Sequence, residues 1–187
     1  MIVVGGGVIG LTAGWRLAQR GLRVTVLERD EPGSGTSRVA ARVLAPIAEA
    51  DVNEEPLLRL GVRSAAIYPA FVEELRELSG RDPGYLKCGS LLTARDRDEA
   101  ESLRREQAVR ERLKLAVSRL KPGDARALEP ALAPALRLAL DVPDDHAIDP
   151  RALVVALVAA LEHTGVSVRR GAAVVRVEIA DGGIAGV

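Results

Sequence analysis

The sequence opens with a short apolar segment, three consecutive glycines, and a second apolar segment that ends in an acid. Ile2–Val4 predicts a buried strand, Val8–Arg20 carries apolar residues at helical spacing, and Arg23–Glu28 is typical of a second strand. A strand, a glycine turn, a helix and a strand within about 30 residues form a βαβ unit. Because such a unit joins parallel strands by a right-handed crossover, we expect an α/β fold with a parallel sheet.

The glycines after the first strand fit a motif that binds phosphate groups. Gly5, Gly7 and Gly10 follow the pattern G-x-G-x-x-G, which allows a tight turn, a close approach of a pyrophosphate and close helix packing. The start of the following helix offers free N–H groups to the phosphates. Glu28 lies eighteen residues after Gly10, where a carboxylate can accept hydrogen bonds from a ribose diol. The motif predicts a dinucleotide site and leaves NAD and FAD open, because both contain ADP.

Composition and charge exclude several classes of partner. The chain is 48% hydrophobic and 28% charged, with 26 basic and 26 acidic residues, so no nucleic-acid partner is expected. The longest later apolar run, Leu153–Leu161, is shorter than the roughly 20 residues of a membrane span, so no membrane partner is expected either. The single cysteine, Cys88, forms no internal disulfide and fits a cytoplasmic protein. No metal site is expected, because His146 has no second histidine near it.

The rest of the chain predicts alternating helices and strands. We expect Ser37 to cap a short helix and Pro69 to kink or restart a helix over 57–78. The further predicted elements are a strand pair or one bent strand over Tyr85–Ala94, helices at 96–115, Pro122–Leu128 and 150–164, and strands at Leu136–Val142, Val166–Arg169 and Ala173–Ile179. Asp96 with Glu99 predicts the start of the first of these helices, and Asp149 followed by Pro150 predicts the N-cap of the last.

The segment GTSRVAARVLAP, residues 35–46, resembles the stretch G-A-S-x-A-A-A-G-M-L-A-P of the glycine oxidase and D-amino-acid oxidase superfamily. Further similar segments are YPAFVEELRELSG at 68–80, GYLKCGSLL at 84–92, ARALEPAL at 125–132 and VPDDHAIDPRALV at 142–154. The resemblance covers essentially the whole chain and is greatest to the glycine oxidases of thiamine biosynthesis.

This resemblance implies FAD as the cofactor and a position for each contact. The implied cofactor-binding residues are Val8 and Ile9 beside the pyrophosphate, Glu28 and Arg29 at the adenosine ribose, Thr36 and Ser37 on the phosphates, Ala41, Arg42 and Val43 along the flavin ring, and Val174 at the adenine. In such enzymes a hydride passes from the substrate Cα to flavin N5, and O₂ reoxidises the flavin. The implied substrate is a small, glycine-like amino acid or amine, and the full-length family allows a homo-oligomer.

The resemblance also implies a division into domains. We expect a Rossmann-like FAD-binding domain formed by 1–84 and 143–187, interrupted at 85–142 by an α+β insertion that begins the substrate domain. No segment matches the family's later strand, its substrate-clamping arginine or its C-terminal flavin loop, so we expect the N-terminal half of such an oxidase. We expect this half to be catalytically inert alone.

Two departures from the family pattern concern the ring side of the site. Arg42 stands where the family has glycine, so its side chain either swings away, alters the electronics of the flavin or blocks the ring. Arg38 replaces a residue that is commonly aromatic or small. Two other functions stay open: a non-catalytic nucleotide-binding fragment that needs a partner chain, and an NAD-linked dehydrogenase.

Overall fold

The computed structural model describes residues 1–51 and 54–187, which form two compact units. Each unit is assembled from separate stretches of the chain. The first unit comprises Met1–Arg42, Ala70–Gly84 and Ile148–Val187, and the second comprises Val43–Pro69 and Tyr85–Ala147.

Helices and strands alternate over much of the chain, as the sequence predicts. The strands are β1 Ile2–Val4, β2 Thr25–Leu27, β3 Val43–Leu44, β4 Tyr85–Leu86, β5 Ser90–Ala94, β6 Ser118–Leu120, β7 Leu138–Val142, β8 His146–Ile148, β9 Ser167–Arg169, β10 Glu178–Ala180 and β11 Gly183–Gly186. The helices are α1 Val8–Gln19, α2 Thr36–Val39, α3 Glu55–Ser79, α4 Arg97–Arg112, α5 Pro122–Leu128 and α6 Pro150–His163.

The sheet whose edge carries the candidate site lies in the first unit. Its strands run parallel in the order β1-β2-β9, which confirms the predicted parallel sheet. Val4 pairs with Leu27, and Leu27 pairs with Arg169, so the strands end in register. The residues that follow β1 and β2 therefore emerge at the same edge of the sheet.

The core of the first unit lies where α1 packs against α6. Trp15, Leu11, Leu157 and Leu161 are fully buried. The indole of Trp15 also contacts the ring of Phe71, with 5.7 Å between the ring centroids. Burial of large apolar side chains of this kind is the main driving force for the packing of a helix pair. It fixes the position of the N-terminus of α1, on which the candidate site depends.

The second unit contains two three-stranded sheets. One has the order β5-β7-β6 with antiparallel pairing, and α4 packs on it through a cluster that includes Ala94, Leu103 and Leu140. The other has the order β3-β8-β4, in which Val43 pairs with Ala147. Asp96 begins α4 by accepting a hydrogen bond from the Glu99 N–H at 2.9 Å, which agrees with the predicted helix start.

A pair of buried charged side chains holds the segment after β3 in the second unit. Asp145 accepts hydrogen bonds from the N–H groups of Ile47 at 3.1 Å and Ala48 at 2.9 Å. Arg110 donates to the carbonyl oxygens of the same two residues, at 2.9 and 2.7 Å. Asp145 is 0% exposed and Arg110 is 3% exposed. We call this arrangement of Asp145 and Arg110 around Ile47 and Ala48 the buried clamp.

Several predicted elements differ from those observed. Helix α3 continues through Pro69 and does not restart there, so a restart at this residue is wrong. The strand predicted over Ala173–Ile179 is also wrong, since only Glu178–Ala180 forms a strand. Gly171 turns the chain with φ +65°, and Ala172 donates its N–H to the Glu28 carbonyl at 2.8 Å. This contact directs the following residues along the end of the parallel sheet.

Within the described residues, no helix combines the length and the apolar character that a bilayer crossing requires. No group of three or more potential metal-ligating side chains occurs among them either.

Candidate cofactor site

The glycine loop between β1 and α1 has the geometry that the motif predicts. Gly5 has φ +99°, a conformation that L side chains rarely adopt. A Cβ atom at Gly10 would lie 1.9 Å from the carbonyl oxygen of Gly5, so no other residue fits there. Gly7 is the N-cap of α1 and supplies no capping side chain. The backbone can therefore approach a ligand closely at the positive end of the helix dipole.

Glu28 lies at the end of β2 and holds the glycine loop through its carboxylate. Its Oε2 accepts a hydrogen bond from the Gly6 N–H at 2.6 Å, and its Oε1 accepts one from the Asp30 N–H at 2.9 Å. These bonds, the one from Asp30 above all, hold the pKa of Glu28 below its ordinary value. The side chain is therefore a carboxylate at neutral pH. Each oxygen keeps a second lone pair that can accept a bond from a ribose hydroxyl.

A shallow cleft of about 180 Å³ opens at this edge of the first sheet. Gly5, Glu28, Arg29 and Val174 lie along it, together with Ala172 and Ala173. The structure thus brings together four of the predicted contact residues from three separate parts of the first unit. Nothing in the local sequence around Val174 indicates this position, because a contact distant in sequence, the bond from the Ala172 N–H to the Glu28 carbonyl, leads the segment to the cleft.

Ser37 is the second residue of α2, but its side chain reaches the N-terminus of α1. Its Oγ accepts a hydrogen bond from the Val8 N–H at 3.1 Å, whereas the N-cap of α2 is Gly35. The expectation that Ser37 caps α2 is therefore wrong. The physical reason is that α1 begins at a glycine, which leaves a first-turn N–H without a local acceptor. Thr36 begins α2 and is exposed.

Ile9 is 81% exposed in the first turn of α1, next to Val8. The two residues thus follow the glycine loop in the first turn of α1, where the Val8 N–H is bonded to Ser37.

The segment at Arg42 has an unusual backbone. Arg42 has φ +70°, a left-handed conformation that costs an L residue roughly 1–2 kcal/mol and that glycine adopts freely. Its carbonyl oxygen accepts a hydrogen bond from the Ile148 N–H at 2.9 Å. Its guanidinium forms an ion pair with Asp149, with 2.7 Å between Nη2 and Oδ2. Of the outcomes left open by the sequence, the structure shows a side chain turned toward Asp149.

The other two residues predicted along the ring flank Arg42. Ala41 precedes it and is exposed. Val43 begins β3 and belongs to the second unit, where it pairs with Ala147. Sequence reasoning assigned Asp149 only the N-cap of α6, which the structure confirms, and missed its contact with Arg42. The arginine at position 42, where the family has glycine, was the one feature of the sequence that could have indicated this contact.

Comparison with known proteins agrees with this geometry. The family model described as "FAD dependent oxidoreductase", DAO, matches residues 1–187. The chain belongs to this family of FAD-dependent oxidoreductases. FAD is the cofactor of the family, which resolves the choice between NAD and FAD that the glycine motif left open.

Glycine oxidases are among the relatives of this family member. Glycine oxidase of Geobacillus kaustophilus is 37% identical over 164 residues, which cover 87% of this chain and 43% of that protein. The putative thiamine biosynthesis oxidoreductase ThiO of Rhizobium etli is 36% identical, covering 87% and 46%. The crystal structure of the Geobacillus enzyme matches with a TM-score of 0.85 at 36% identity, covering 91% of this chain and 46% of that one. The chain therefore spans slightly less than half the length of these relatives.

The residues present fit the ADP part of FAD. The close contact between Gly5 and Gly10 leaves the loop without side chains that would obstruct a pyrophosphate. The anionic Glu28 suits an unphosphorylated ribose and repels a 2′-phosphate.

Proposed function

We propose that this chain binds FAD through its ADP moiety and forms the cofactor-binding part of a glycine-oxidase-like oxidoreductase. The observation that carries the proposal is the carboxylate of Glu28, which is held against the glycine loop and faces the cleft. An acid at this place beside a helix N-terminus suits a ribose diol followed by a pyrophosphate.

The proposal gives each part of the site one role. The pyrophosphate lies at the start of α1, and the adenine lies near Val174 at the far side of the cleft. The proposed contacts are Gly5, Gly7, Val8, Ile9 and Gly10 with Thr36 and Ser37 for the phosphates, Glu28 and Arg29 for the ribose, Val174 for the adenine, and Ala41, Arg42 and Val43 for the ring. Support comes from the cleft that Gly5, Glu28, Arg29 and Val174 share.

The proposed reaction is the oxidation of a small, glycine-like amino acid or amine. FAD, held by the glycine loop and by Glu28, would supply the hydride acceptor for this oxidation, with O₂ as the final oxidant. The residues of this chain bind and orient the cofactor for that step. The identity of 37% with a glycine oxidase supports the substrate class. A cytoplasmic location and a homo-oligomer of the full-length protein are parts of the same proposal.

We also propose the domain roles that the sequence suggested. Segments 1–84 and 143–187 form the cofactor domain, and 85–142 begins the substrate domain. The compact second unit, which contains Tyr85–Ala147 together with Val43–Pro69, supports an insertion of this kind.

Binding of nucleotides to the 187-residue chain tests the proposal. FAD and ADP should raise the melting temperature, and bound FAD should show a visible flavin spectrum. Adenosine 2′,5′-diphosphate should bind more weakly than AMP, which has the same single 5′-phosphate, because Glu28 repels the 2′-phosphate. Protection by NAD without any protection by FAD would favour a dehydrogenase instead. Flavin binding that appears only after addition of a C-terminal half would favour a fragment that depends on a partner chain.

A further inference from the structure

Arg42 occupies a backbone position that favours glycine, and its side chain is held by a neighbouring helix. The residue has φ +70°, and the Nη2 atom lies 2.7 Å from Oδ2 of Asp149. The Arg42 side chain is 57% exposed and the Asp149 side chain 28% exposed, so the pair is in contact with water. An exposed ion pair has a small effect by itself. What distinguishes this pair is the fixed position of the carboxylate.

Asp149 is held in place from several directions within the first unit. Its Oδ1 accepts hydrogen bonds from the N–H groups of Arg151 at 2.9 Å and Ala152 at 3.4 Å, which caps α6. Its own N–H donates to the carbonyl of Gly84 at 2.9 Å. A Cβ atom at Gly84 would lie 2.7 Å from the Cβ of Asp149, so the two backbones pack closely. These contacts fix the Asp149 carboxylate with its Oδ2 facing Arg42, so the ion pair is not needed to order it.

The segment before Arg42 is tied to the same helix start. Nε of Arg151 donates to the carbonyl of Arg38 at 3.2 Å, and Ile148 donates its N–H to the carbonyl of Arg42 at 2.9 Å. The turn from Arg38 to Arg42 is thus attached to the beginning of α6 by hydrogen bonds to two of its carbonyl oxygens and by the ion pair of the Arg42 side chain with Asp149. The carbonyl bonds do not depend on the identity of residue 42, whereas the ion pair does.

We propose that Asp149 is a positioning residue that holds the Arg42 guanidinium away from the flavin ring. This inference rests on the proposed function, in which Ala41 and Arg42 line that ring. With the side chain on Asp149, the Arg42 backbone presents the same left-handed turn that a glycine would present. Without the negative charge, the long side chain samples the space beside the turn and competes with the ring. Asp149 thereby makes an arginine tolerable at this position.

The test compares FAD with ADP, which lacks the ring, on four forms of the 187-residue chain. These are the unaltered chain, Asp149→Asn, Arg42→Gly and the double variant. Asparagine is as good an N-cap as aspartate, so Asp149→Asn removes the charge and keeps the cap of α6. Asp149→Asn should weaken FAD binding about two- to fivefold, the range of an exposed ion pair. It should leave the dissociation constant for ADP and the melting temperature of the free protein unchanged.

The Arg42→Gly background provides the decisive control. With no guanidinium to hold, Asp149→Asn should have no effect on FAD binding in that background. A high salt concentration should weaken FAD binding relative to ADP in the unaltered chain and not in Arg42→Gly.

Each other outcome overturns the inference. An equal effect of Asp149→Asn on FAD and ADP, or the same effect in both backgrounds, would show a general structural role. Tighter FAD binding in Asp149→Asn would show that the free guanidinium favours the ring. Equal affinities of the unaltered chain for FAD and ADP would mean that the ring makes no contact with this turn. Failure of both ligands to bind would contradict the proposed function together with this inference.

Discussion

Asp145 and Glu28 each accept hydrogen bonds from two backbone N–H groups, in opposite surroundings. Asp145 in the second unit is fully buried and bonds Ile47 and Ala48, with Arg110 on the carbonyl side of the same residues. Glu28 in the first unit bonds Gly6 and Asp30 beside an open cleft. The same kind of bond has different consequences at the two residues, because water can replace a lost partner at Glu28 but not at Asp145.

Burial decides how each carboxylate can act. If the Asp145 carboxylate were lost, no water could replace it as the acceptor of the N–H groups that it bonds. The free-energy cost of leaving such buried groups unpaired is larger than the net contribution of the hydrogen bonds to stability. At Glu28 the backbone bonds fix the orientation of the carboxylate, and the cleft side remains open to a ligand. The buried Asp145 is suited to holding a chain segment, and Glu28 at the open cleft is suited to binding a ligand.

The largest expected effect comes from removal of the buried carboxylate. Asp145→Ala should lower the free energy of unfolding by about 3–5 kcal/mol, because it leaves the N–H groups of Ile47 and Ala48 without an acceptor in a buried place. Urea unfolding followed by circular dichroism measures the change. The neighbouring exposed variant Asp144→Ala is the matched control and should stay within about 0.5 kcal/mol of the unaltered protein. A similar small change for Asp145→Ala would remove the contrast between the two sites.

Removal of the other half of the buried clamp should follow closely. Arg110→Met keeps much of the side-chain volume but leaves the carbonyls of Ile47 and Ala48 unpaired, so we expect a loss of about 2–4 kcal/mol. The exposed Arg112→Met on the same helix serves as the control. In a double-mutant cycle with Asp145→Asn the two losses should not add, because both residues hold the same segment. Simple additivity would show that the two charges act independently.

Glu28 should show the reverse pattern, a large effect on binding and a small one on folding. Glu28→Ala should weaken ADP binding by about 1.5–3 kcal/mol, the contribution of hydrogen bonds to a charged group. Calorimetric titration with ADP measures this loss, and urea unfolding of the free protein should change by only about 1 kcal/mol. Unchanged ADP affinity would mean that Glu28 only shapes the glycine loop.

Ser37 should have a smaller effect on stability. Ser37→Ala removes the acceptor of the Val8 N–H, so the free energy of unfolding should fall by about 0.5–1 kcal/mol, as for the loss of a helix cap. The exposed Ser34→Ala is the control. If the two variants have equal melting temperatures, the bond between Ser37 and α1 contributes nothing to stability.

The smallest expected effect is the acid dependence that Glu28 adds to the stability of the free protein. The pKa of Glu28 is lower in the folded protein than its ordinary value of 4.5. The stabilisation is therefore complete well above pH 4.5 and is lost as the pH falls through the lowered folded value. The difference in stability between the unaltered protein and Glu28→Gln should shrink on acidification through this range. A difference that stays constant would show that the charge of Glu28 has no part in folding.

Local patterns of sequence were sufficient for the elements of the first unit that are contiguous in the chain. The spacing of Gly5, Gly7, Gly10 and Glu28 predicted the βαβ unit and its ligand end, because each step depends on near neighbours. The Asp149–Pro150 start of α6 was equally local, and the structure confirms it. Short strands such as β3 and β8 were missed, since two or three residues carry no measurable periodicity and pair only through contacts distant in sequence.

The sequence by itself determined the parallel sheet, the glycine loop and an acid at the end of β2, because glycine conformations and apolar periodicity act over a few residues. Only the tertiary structure decided the partners of these polar and charged side chains. Ser37 reaches Val8, Asp145 reaches Ile47, and Arg42 reaches Asp149. These pairs are 29, 98 and 107 residues apart in the chain. A polar group takes whichever partner the folded chain brings within hydrogen-bonding distance, and that choice is made by packing rather than by local sequence.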